Sequence, residues 1–456
     1  MKKINFCALL LAAAFLCAAV PPRVRALENP DVPAQAVLLA EAGTGAVLYG
    51  KNEDERRAPD TMTKIMTLLL AAEAAESGAV SIDETVTASA GAWFDITPQS
   101  ETRDLLPGEE LRFFDLLCCA YIGGANEACN IIAERVADSV PAFVARMNER
   151  ARALGCEDTS FTNTHGQADP KQYTTARDLC RIMRAAAECG VFLDVAGTYK
   201  YKTAETNMSA ARELTNSNYL LGENSRYYYS YCTAGKVSAT YESGYGCAAA
   251  AQRDGLSLIA VVLGAKAVIL EDQSTQMQNL TGTRSLFEWG FEGFGWRTVI
   301  STSELIAKAP VTYGDGADYV NLRAERDVTL LLPAELAAGT VERAVTVYSV
   351  ESGETLTAPV RAGETLGELT LFLDGQERAR VALVANTSVD MLRIKYIETQ
   401  VREALHSKWA RWITASVAAL FAVYAALVVR YNVLRRRRIK RIKEAKRKIA
   451  DERRNQ

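Results

Sequence analysis

The chain has 456 residues, a formal net charge of −3 and only two histidines, His165 and His406. The charge is uneven: the segment from Arg430 to the end carries thirteen basic residues against three acidic ones, which leaves −13 for the rest. A body this acidic gives no sign of nucleic-acid binding, so no nucleic-acid partner is expected. The eight cysteines after residue 26 show no C-x-x-C spacing, so neither a zinc or thioredoxin-type site nor any other cofactor is expected.

Residues 1–26 are predicted to be a secretory signal peptide. Two lysines precede a nearly continuous apolar run from Ala8 to Val20, which is too short to span a bilayer and ends before two prolines. A basic start, a short apolar core and a small final residue, here Ala26, are typical of such signals. A buried N-terminal helix is the alternative, and the lysine and proline pairs fit export better.

Residues 27–296 are predicted to form an α+β domain. An alternating pattern from Ala36 to Tyr49 around a Gly-rich turn predicts a hairpin. Two apolar strands, Gly244–Gln252 and Ser257–Gly264, are expected to be joined by a turn at Asp254-Gly255. Helices are expected at Thr61–Glu76 (capped by Asp60), Glu109–Tyr121, Asn126–Ala137, Val140–Leu154 and Ala176–Cys189. A helical cluster between strands of one antiparallel sheet indicates the α+β class.

The remainder is predicted to be a small all-β domain, residues 297–395, followed by a linker, 396–411, and a membrane anchor. Short β-type runs alternate with Gly-rich turns from Thr298 to about Met391. Eighteen residues from Trp412 to Val429 carry no charge, enough to span a bilayer of about 30 Å with help from the flanks. A transmembrane helix at 412–431 and a basic tail at 432–456 predict a single-pass cell-membrane protein with its body extracytoplasmic and its tail cytoplasmic.

The scarcity of histidine directs the search for chemistry toward lysine, because a Ser-His-Asp arrangement would depend on His165 alone. Thr61 and Lys64 stand three residues apart at a helix start, where they share a face and where the helix dipole favours negative charge. Two further candidate segments are Gly124 to Asn126, at a sharp break after a helix, and Lys236 to Ser238, on a strand before the hairpin.

Each candidate also has a simpler interpretation. Lys64 alone on a helix would be a solvated residue, Asn126 could cap its helix, and Lys236 could be an ordinary sheet-edge charge. His165, in an Asn-Thr-His-Gly turn, is expected to be structural rather than catalytic.

The sequence around these segments resembles the D-alanyl-D-alanine carboxypeptidases, serine-type peptidases of the low-molecular-weight penicillin-binding group. The similar stretches are Gly45–Asn52, Lys64–Thr67, Asn163–Gly166, Tyr173–Asp178, Gly235-Lys236, Gly244-Tyr245, Arg253–Ala265 and, in the β-domain, Ala358–Gly363. The resemblance implies a penicillin-binding/β-lactamase-like catalytic domain, a β-domain and a C-terminal anchor. It also implies removal of the terminal D-alanine from peptidoglycan stem peptides ending in D-Ala-D-Ala, through an acyl-enzyme, with β-lactams as acylating ligands.

The family motifs S-x-x-K, S-x-N and K-T-G appear here as T-x-x-K, G-x-N and K-V-S. The resemblance gives Thr61 the nucleophile position and Lys64 the role of general base, with Asn126 as the second-motif asparagine. It gives Lys236 the task of binding substrate. The backbone N–H groups of Thr61 and Ala239 are implied as the oxyanion donors.

Several substitutions in these motifs predict a slow enzyme. Thr61 adds a methyl group with a stiff χ1 torsion, and Gly124 lacks the hydroxyl that relays a proton. Val237 cannot bond the substrate carboxylate, and Ser238 places a side chain where glycine lets the substrate approach. We expect a rate lower by several orders of magnitude. An inactive relative that binds wall peptides or wall-synthesis partners is the alternative. A class A β-lactamase fits poorly, because its E-x-x-L-N element requires a Leu-Asn dipeptide that this chain lacks.

Overall fold

The computed structural model describes residues 28–452, apart from residues 241 and 337. These residues divide into two units with the boundary between Trp296 and Arg297, and Leu331–Leu336 belongs with the first unit. The predicted signal peptide, residues 1–26, lies outside the described residues.

The first unit contains most of the helices. Its strands are β1 (Ala36–Glu41), β2 (Val47–Lys51), β3 (Thr85–Thr87), β4 (Glu110–Arg112), β5 (Lys200–Lys202), β6 (Glu213–Thr215), β7 (Cys232–Thr240), β8 (Gly244–Arg253), β9 (Leu256–Ala265), β10 (Ala267–Ile269) and β11 (Thr275–Met277). Its α-helices are α1 (Thr63–Glu76), α2 (Phe113–Tyr121), α3 (Asn126–Ala137), α4 (Val140–Ala153), α5 (Ala176–Ala186), α6 (Gly190–Ala196) and α7 (Gln278–Gly293). Short 3-10 turns lie at Asp60–Met62, Ala90–Trp93 and Tyr219–Leu221.

Five strands of this unit form an antiparallel sheet in the order β2-β1-β9-β8-β7, which confirms the predicted α+β class. Asp254 and Gly255 join β8 to β9 with φ angles of 50° and 80°, as a two-residue hairpin turn requires. β7 stands at one end of this order, and its register pairs Lys236 with Ala248 and Ser238 with Gly246.

Helix α1 lies within the apolar cluster on one face of the sheet. Its buried residues, among them Ile65, Met66, Leu69 and Ala72, point in all directions around the helix axis. A helix that is apolar all round is stable only when enclosed by other elements. The 3-10 turn that leads into α1 contacts β7, so this enclosure places the helix start beside the sheet edge. Helix α7 packs with the opposite face of the sheet.

Three element predictions in this unit are wrong. Asp60 does not cap α1: it lies in the preceding 3-10 turn with a φ of 46°, and its carboxylate accepts hydrogen bonds from Thr240 and Ser243. The helix expected from Glu109 begins only at Phe113, because β4 pairs with β3. Helix α5 ends at Ala186 rather than at residue 189, since a turn there leads into α6.

Before its two C-terminal helices, the second unit is all-β apart from one short α-helix and a 3-10 turn at Ala338–Thr340, as the sequence predicts. Its strands, of which β12 begins and β15 ends in the first unit, are β12 (Phe294–Ile300), β13 (Leu305–Thr312), β14 (Tyr319–Ala324), β15 (Val328–Pro333), β16 (Glu342–Val347), β17 (Leu356–Thr357), β18 (Thr365–Leu373) and β19 (Gln376–Ala385), with α8 (Tyr348–Glu351) between β16 and β17. A six-stranded sheet runs in the order β16-β18-β19-β14-β13-β17, and only the β13–β17 pair is parallel.

Two helices follow the β-strands, α9 (Arg393–His406) and α10 (Lys408–Glu452). The stretch Lys408–Ala450 is long and apolar enough to cross a membrane, judged by length and composition, and none of its apolar window is buried. At 1.5 Å per residue the 45 residues of α10 extend over about 68 Å, roughly twice the hydrocarbon thickness. The helix therefore fits a transmembrane anchor whose basic end continues beyond the bilayer.

The eight cysteines that the structure describes, all in the first unit, are free thiols, and all but Cys232 are buried. Burial in apolar surroundings raises the pKa of these thiols, for example that of Cys129 to about 11 and that of Cys180 to about 12. They behave as small apolar side chains in the core.

Candidate active site

Lys64 lies in the first turn of α1 and is only 1% exposed. Its Nζ donates hydrogen bonds to Oδ1 of Asn126 at 2.6 Å and to the main-chain oxygen of His165 at 3.0 Å. Burial lowers the pKa of Lys64, because loss of water disfavours the charged amine. The interpretation of Lys64 as a solvated residue is therefore wrong, and its lowered pKa suits a general base.

Asn126 is the first residue of α3, and the N-cap position belongs to Ala125. Its side chain accepts the hydrogen bond from Lys64, and its main-chain N–H donates to the carbonyl of Glu101 at 2.9 Å. Asn126 thus positions the lysine rather than capping the helix.

Thr61 belongs to the 3-10 turn before α1 and is half-buried. Its hydroxyl donates to the main-chain oxygen of Val237, on β7, at 2.8 Å. The sequence spacing predicts a shared face for Thr61 and Lys64, but the partners of the Lys64 amine are Asn126 and His165 and not the Thr61 hydroxyl. A hydroxyl that bonded the amine instead of Val237 would have to reorient, and rotation about χ1 is restricted in a β-branched residue.

Lys236 is buried on β7, and its Nζ donates to the main-chain oxygen of Tyr121 at 2.5 Å. The same nitrogen lies 4.9 Å from the centroid of the Tyr121 ring, within range of a cation–π interaction. Burial, followed by the charge of Lys64, lowers the pKa of Lys236 to about 7. Lys236 is therefore buried, unlike an ordinary solvated charge at a sheet edge.

The residues after Lys236 have different surroundings. The side chain of Val237 packs into the apolar cluster beneath the sheet. Ser238 is buried and lines a cavity of about 200 Å³ together with Met62 and Gly246. A Cβ atom on Gly246 would lie 2.6 Å from the Ser238 hydroxyl, so a glycine opposite makes room for this serine. Ala239 is exposed and pairs with Tyr245 of β8.

Gly124 adopts a φ of 77°, which L side chains rarely adopt. A Cβ atom at this position would lie 2.3 to 2.6 Å from the carboxylate atoms of Glu101. The Glu101 carboxylate thus stands where the side chain of a second-motif serine would begin. Sequence reasoning missed Glu101, because no local pattern links a loop carboxylate to a glycine 23 positions later.

His165 contributes to the site through its main-chain oxygen, which accepts from Lys64. Its ring is engaged elsewhere: Nε2 lies 3.1 Å from Oδ2 of Asp95, and Nδ1 accepts from the main-chain N–H of Gln167. This supports the structural role predicted for His165 and adds Asp95, which sequence reasoning missed. Within the described part of the chain, no cluster of three or more His, Cys, Asp or Glu side chains is arranged to hold a metal ion.

The contact between Lys64 and Asn126 predicts a measurable energetic coupling. Asn126→Leu should lower the free energy of unfolding by about 1–3 kcal/mol, because the buried amine loses a partner. Lys64→Met removes the amine itself, so the double variant should be more stable than the sum of the single effects, by about 0.5–3 kcal/mol. Urea unfolding of the full chain in detergent measures the cycle. Lys171→Met, at an exposed lysine, is the control, and strict additivity would contradict the coupling.

Comparison with known proteins places this geometry in a family. The chain matches the D-alanyl-D-alanine carboxypeptidase family over residues 23–267, more than half of its length. Residues 294–391 match the C-terminal domain of penicillin-binding protein 5.

Individual relatives extend the likeness beyond single domains. D-alanyl-D-alanine carboxypeptidase DacC of Escherichia coli is 28% identical over 368 residues, which cover 80% of this chain and 86% of that protein. DacF of Bacillus subtilis is 28% identical over 364 residues, with 80% and 87% covered. The crystal structure of penicillin-binding protein 5 from Haemophilus influenzae is 25% identical with a TM-score of 0.60, over 80% of this chain and 99% of that one. The chain therefore belongs to the D-alanyl-D-alanine carboxypeptidase family of low-molecular-weight penicillin-binding proteins.

Proposed function

We propose that this protein is a slow D-Ala-D-Ala carboxypeptidase, which removes the terminal D-alanine of peptidoglycan stem peptides through an acyl intermediate on Thr61. The observation that carries the proposal is the buried amine of Lys64, held by Asn126 and the carbonyl of His165 and lowered in pKa. Maintaining a lysine in an apolar helix cluster opposes folding unless the amine is satisfied, and both hydrogen bonds satisfy it. A base arranged in this way is better suited to taking a proton than to stabilising the fold.

The proposed reaction begins when the Thr61 hydroxyl leaves the Val237 carbonyl and turns toward the neutral amine of Lys64. Lys64 takes the hydroxyl proton while Oγ1 bonds to the carbonyl carbon of the penultimate D-alanine. The main-chain N–H groups of Thr61 and Ala239 would stabilise the resulting oxyanion. The proton taken up by Lys64 then reaches the leaving nitrogen as the C–N bond breaks, which frees the terminal D-alanine as its amine and leaves the acyl-enzyme for water to hydrolyse. Lys236 supplies positive charge for the terminal carboxylate of the substrate.

Several features of the site account for a low rate. The Thr61 hydroxyl must give up a 2.8 Å hydrogen bond and rotate against its methyl group, and a misplacement of about 1 Å costs ~100-fold. Val237 is committed to the apolar cluster beneath the sheet and offers no hydroxyl to the substrate carboxylate. That loss weakens carboxylate binding by about 1–3 kcal/mol.

An inactive relative that binds wall peptides or wall-synthesis partners is the second candidate. The hydrogen bond from the Thr61 hydroxyl to Val237 favours it, because the hydroxyl is bonded there and not to the Lys64 amine. The two candidates differ in whether Thr61 forms a covalent adduct.

The proposed location is the cell membrane, with the body extracytoplasmic and α10 as a single anchor. Within α10, the apolar stretch that could cross a membrane is followed by the basic segment from Arg435 onward. Basic residues beside a span stay on the cytoplasmic side, and such a cluster is also attracted to anionic lipid.

Labelling with a β-lactam tests Thr61 as nucleophile. We expect slow acylation of the full chain, detected by intact-mass spectrometry after long incubation. Thr61→Ser should speed acylation by about 10- to 100-fold because the methyl group is gone. Thr61→Ala should abolish it, and Thr85→Ser, at an exposed threonine of β3, should leave it unchanged. An adduct that persists in Thr61→Ala would place the nucleophile elsewhere. No adduct even in Thr61→Ser would favour the inactive relative.

The lowered pKa of Lys236 predicts pH-dependent binding of the substrate carboxylate. Below about 7 the amine is protonated and attracts the carboxylate; as pH rises through that value the charge and the attraction are lost. In a Thr61→Ala background, which removes turnover, the Kd of a D-Ala-D-Ala peptide should rise several-fold from pH 6 to pH 8. Isothermal titration calorimetry measures this dependence. Lys236→Met should bind weakly at every pH, and equal affinity of this variant and its parent would remove Lys236 from the site.

Protease accessibility tests the proposed topology. Protease added to intact cells, or to spheroplasts if an outer membrane is present, should digest the body and spare the segment beyond α10's apolar stretch. An epitope placed after residue 456 reports the tail. A body that survives while the epitope is lost would reverse the orientation.

A further inference from the structure

Glu101 occupies the space that the second motif leaves vacant. In the family the second-motif serine provides a hydroxyl, and here Gly124 provides none. The atoms of the Glu101 carboxylate lie 2.3 to 2.6 Å from where a Cβ on Gly124 would stand, closer than real contacts allow. A serine side chain at position 124 would therefore meet the carboxylate, and one of the two would have to move.

The loop that carries Glu101 is anchored beside the start of α3. The Glu101 carbonyl accepts from the main-chain N–H of Asn126 at 2.9 Å, which ties it to the second motif itself. On one side, the Ser100 hydroxyl donates to Oε1 of Gln167 at 3.1 Å. On the other, the main-chain N–H of Arg103 donates to Oε1 of the buried Glu127 at 2.6 Å. These bonds fix the main chain of the loop at Glu101 beside the second motif.

The Glu101 carboxylate is electrostatically linked to both site lysines. Its charge raises the pKa values of Lys64 and Lys236, against the larger lowering that burial causes. Its side chain is 52% exposed, and its Oε1 lies 3.4 Å from Nη2 of Arg103. A carboxylate accepts a proton when ionised and donates one once it is protonated, so the same group can take up a proton and pass it on.

We propose that the Glu101 carboxylate replaces the missing second-motif hydroxyl as the group that carries a proton to the leaving D-alanine. The inference rests on the proposed carboxypeptidase function. As Oγ1 of Thr61 bonds to the substrate carbonyl carbon, its proton passes to Lys64. One Glu101 oxygen then accepts a proton from the Lys64 ammonium, and the carboxyl group donates a proton to the leaving nitrogen as the C–N bond breaks. Lys64 returns to the neutral amine and Glu101 to the carboxylate.

This arrangement changes what restoration of the family motif requires. Gly124→Ser alone should not accelerate the enzyme, because the new side chain meets the Glu101 carboxylate and also the strained φ of 77°. Gly124→Ser combined with Glu101→Ala frees the space and returns a hydroxyl to it.

The test measures D-alanine release from an N-acylated tripeptide ending in D-Ala-D-Ala by the full chain in detergent. Glu101→Gln keeps the shape of the side chain but cannot carry a proton, so kcat should fall about 100-fold with little change in KM. Added formate should restore part of the rate in Glu101→Ala, and Glu101→Ala/Gly124→Ser should exceed Glu101→Ala. Glu110→Gln, at an exposed glutamate of β4, is the matched control and should behave as the parent.

The outcomes separate this inference from the function on which it rests. Thr61-dependent release by the parent together with an unchanged kcat in Glu101→Gln would overturn the role of Glu101 and leave the carboxypeptidase proposal standing. A lowered kcat without rescue by formate or by the double variant would make Glu101 structural and also overturn the inference. No Thr61-dependent release by the parent would overturn the proposed function, and the role of Glu101 with it.

Discussion

The site depends on one buried lysine. Lys64 emerges from the first turn of a helix that is apolar on all sides, and its amine is satisfied by Asn126 and by the carbonyl of His165. Because an unpaired amine in such surroundings is costly, the start of α3 and the 163–166 turn must lie against the start of α1. That requirement brings Asn126 of the second motif to Lys64 of the first. The enclosed helix cluster therefore positions these side chains, and the need to satisfy the lysine amine in turn constrains how the cluster packs.

Burial disfavours the charged form of Lys64 and of Lys236. Both are buried, and the charge of Lys64 adds to the lowering of the Lys236 pKa. The Lys236 amine is stabilised by the Tyr121 carbonyl and by the face of the Tyr121 ring. The Lys64 amine is hydrogen-bonded to the Asn126 side-chain amide and to the His165 carbonyl. The ligands of both amines are neutral, so Glu101 supplies a negative charge that the motifs themselves do not provide.

The sequence predicted those parts of the molecule that depend on local pattern. The β8–β9 hairpin follows from Asp254-Gly255, and α3 follows from its periodicity, so both have the expected bounds to within a residue or two. Asp60 was misassigned because its carboxylate finds partners in Thr240 and Ser243, about 180 positions away, and these outweigh the local preference for capping. Lys64 and Asn126 could be identified because the family motifs include them. Glu101 and the Thr61–Val237 hydrogen bond could not be identified, because both contacts form only when distant segments meet.

If the body lies outside the cytoplasm, as proposed above, the burial of its thiols affects how it withstands oxidation. A thiol reacts with oxidants and disulfides as its thiolate, and burial raises the pKa of each cysteine in the first unit far enough to leave little thiolate at neutral pH. In the folded body, burial keeps reagents away from the cysteines and leaves little thiolate to react. The cysteines can therefore stay reduced in an oxidising compartment. The unfolded chain has no such protection, so at the proposed location folding would have to outpace oxidation. The same core that encloses Lys64 would then also protect the thiols.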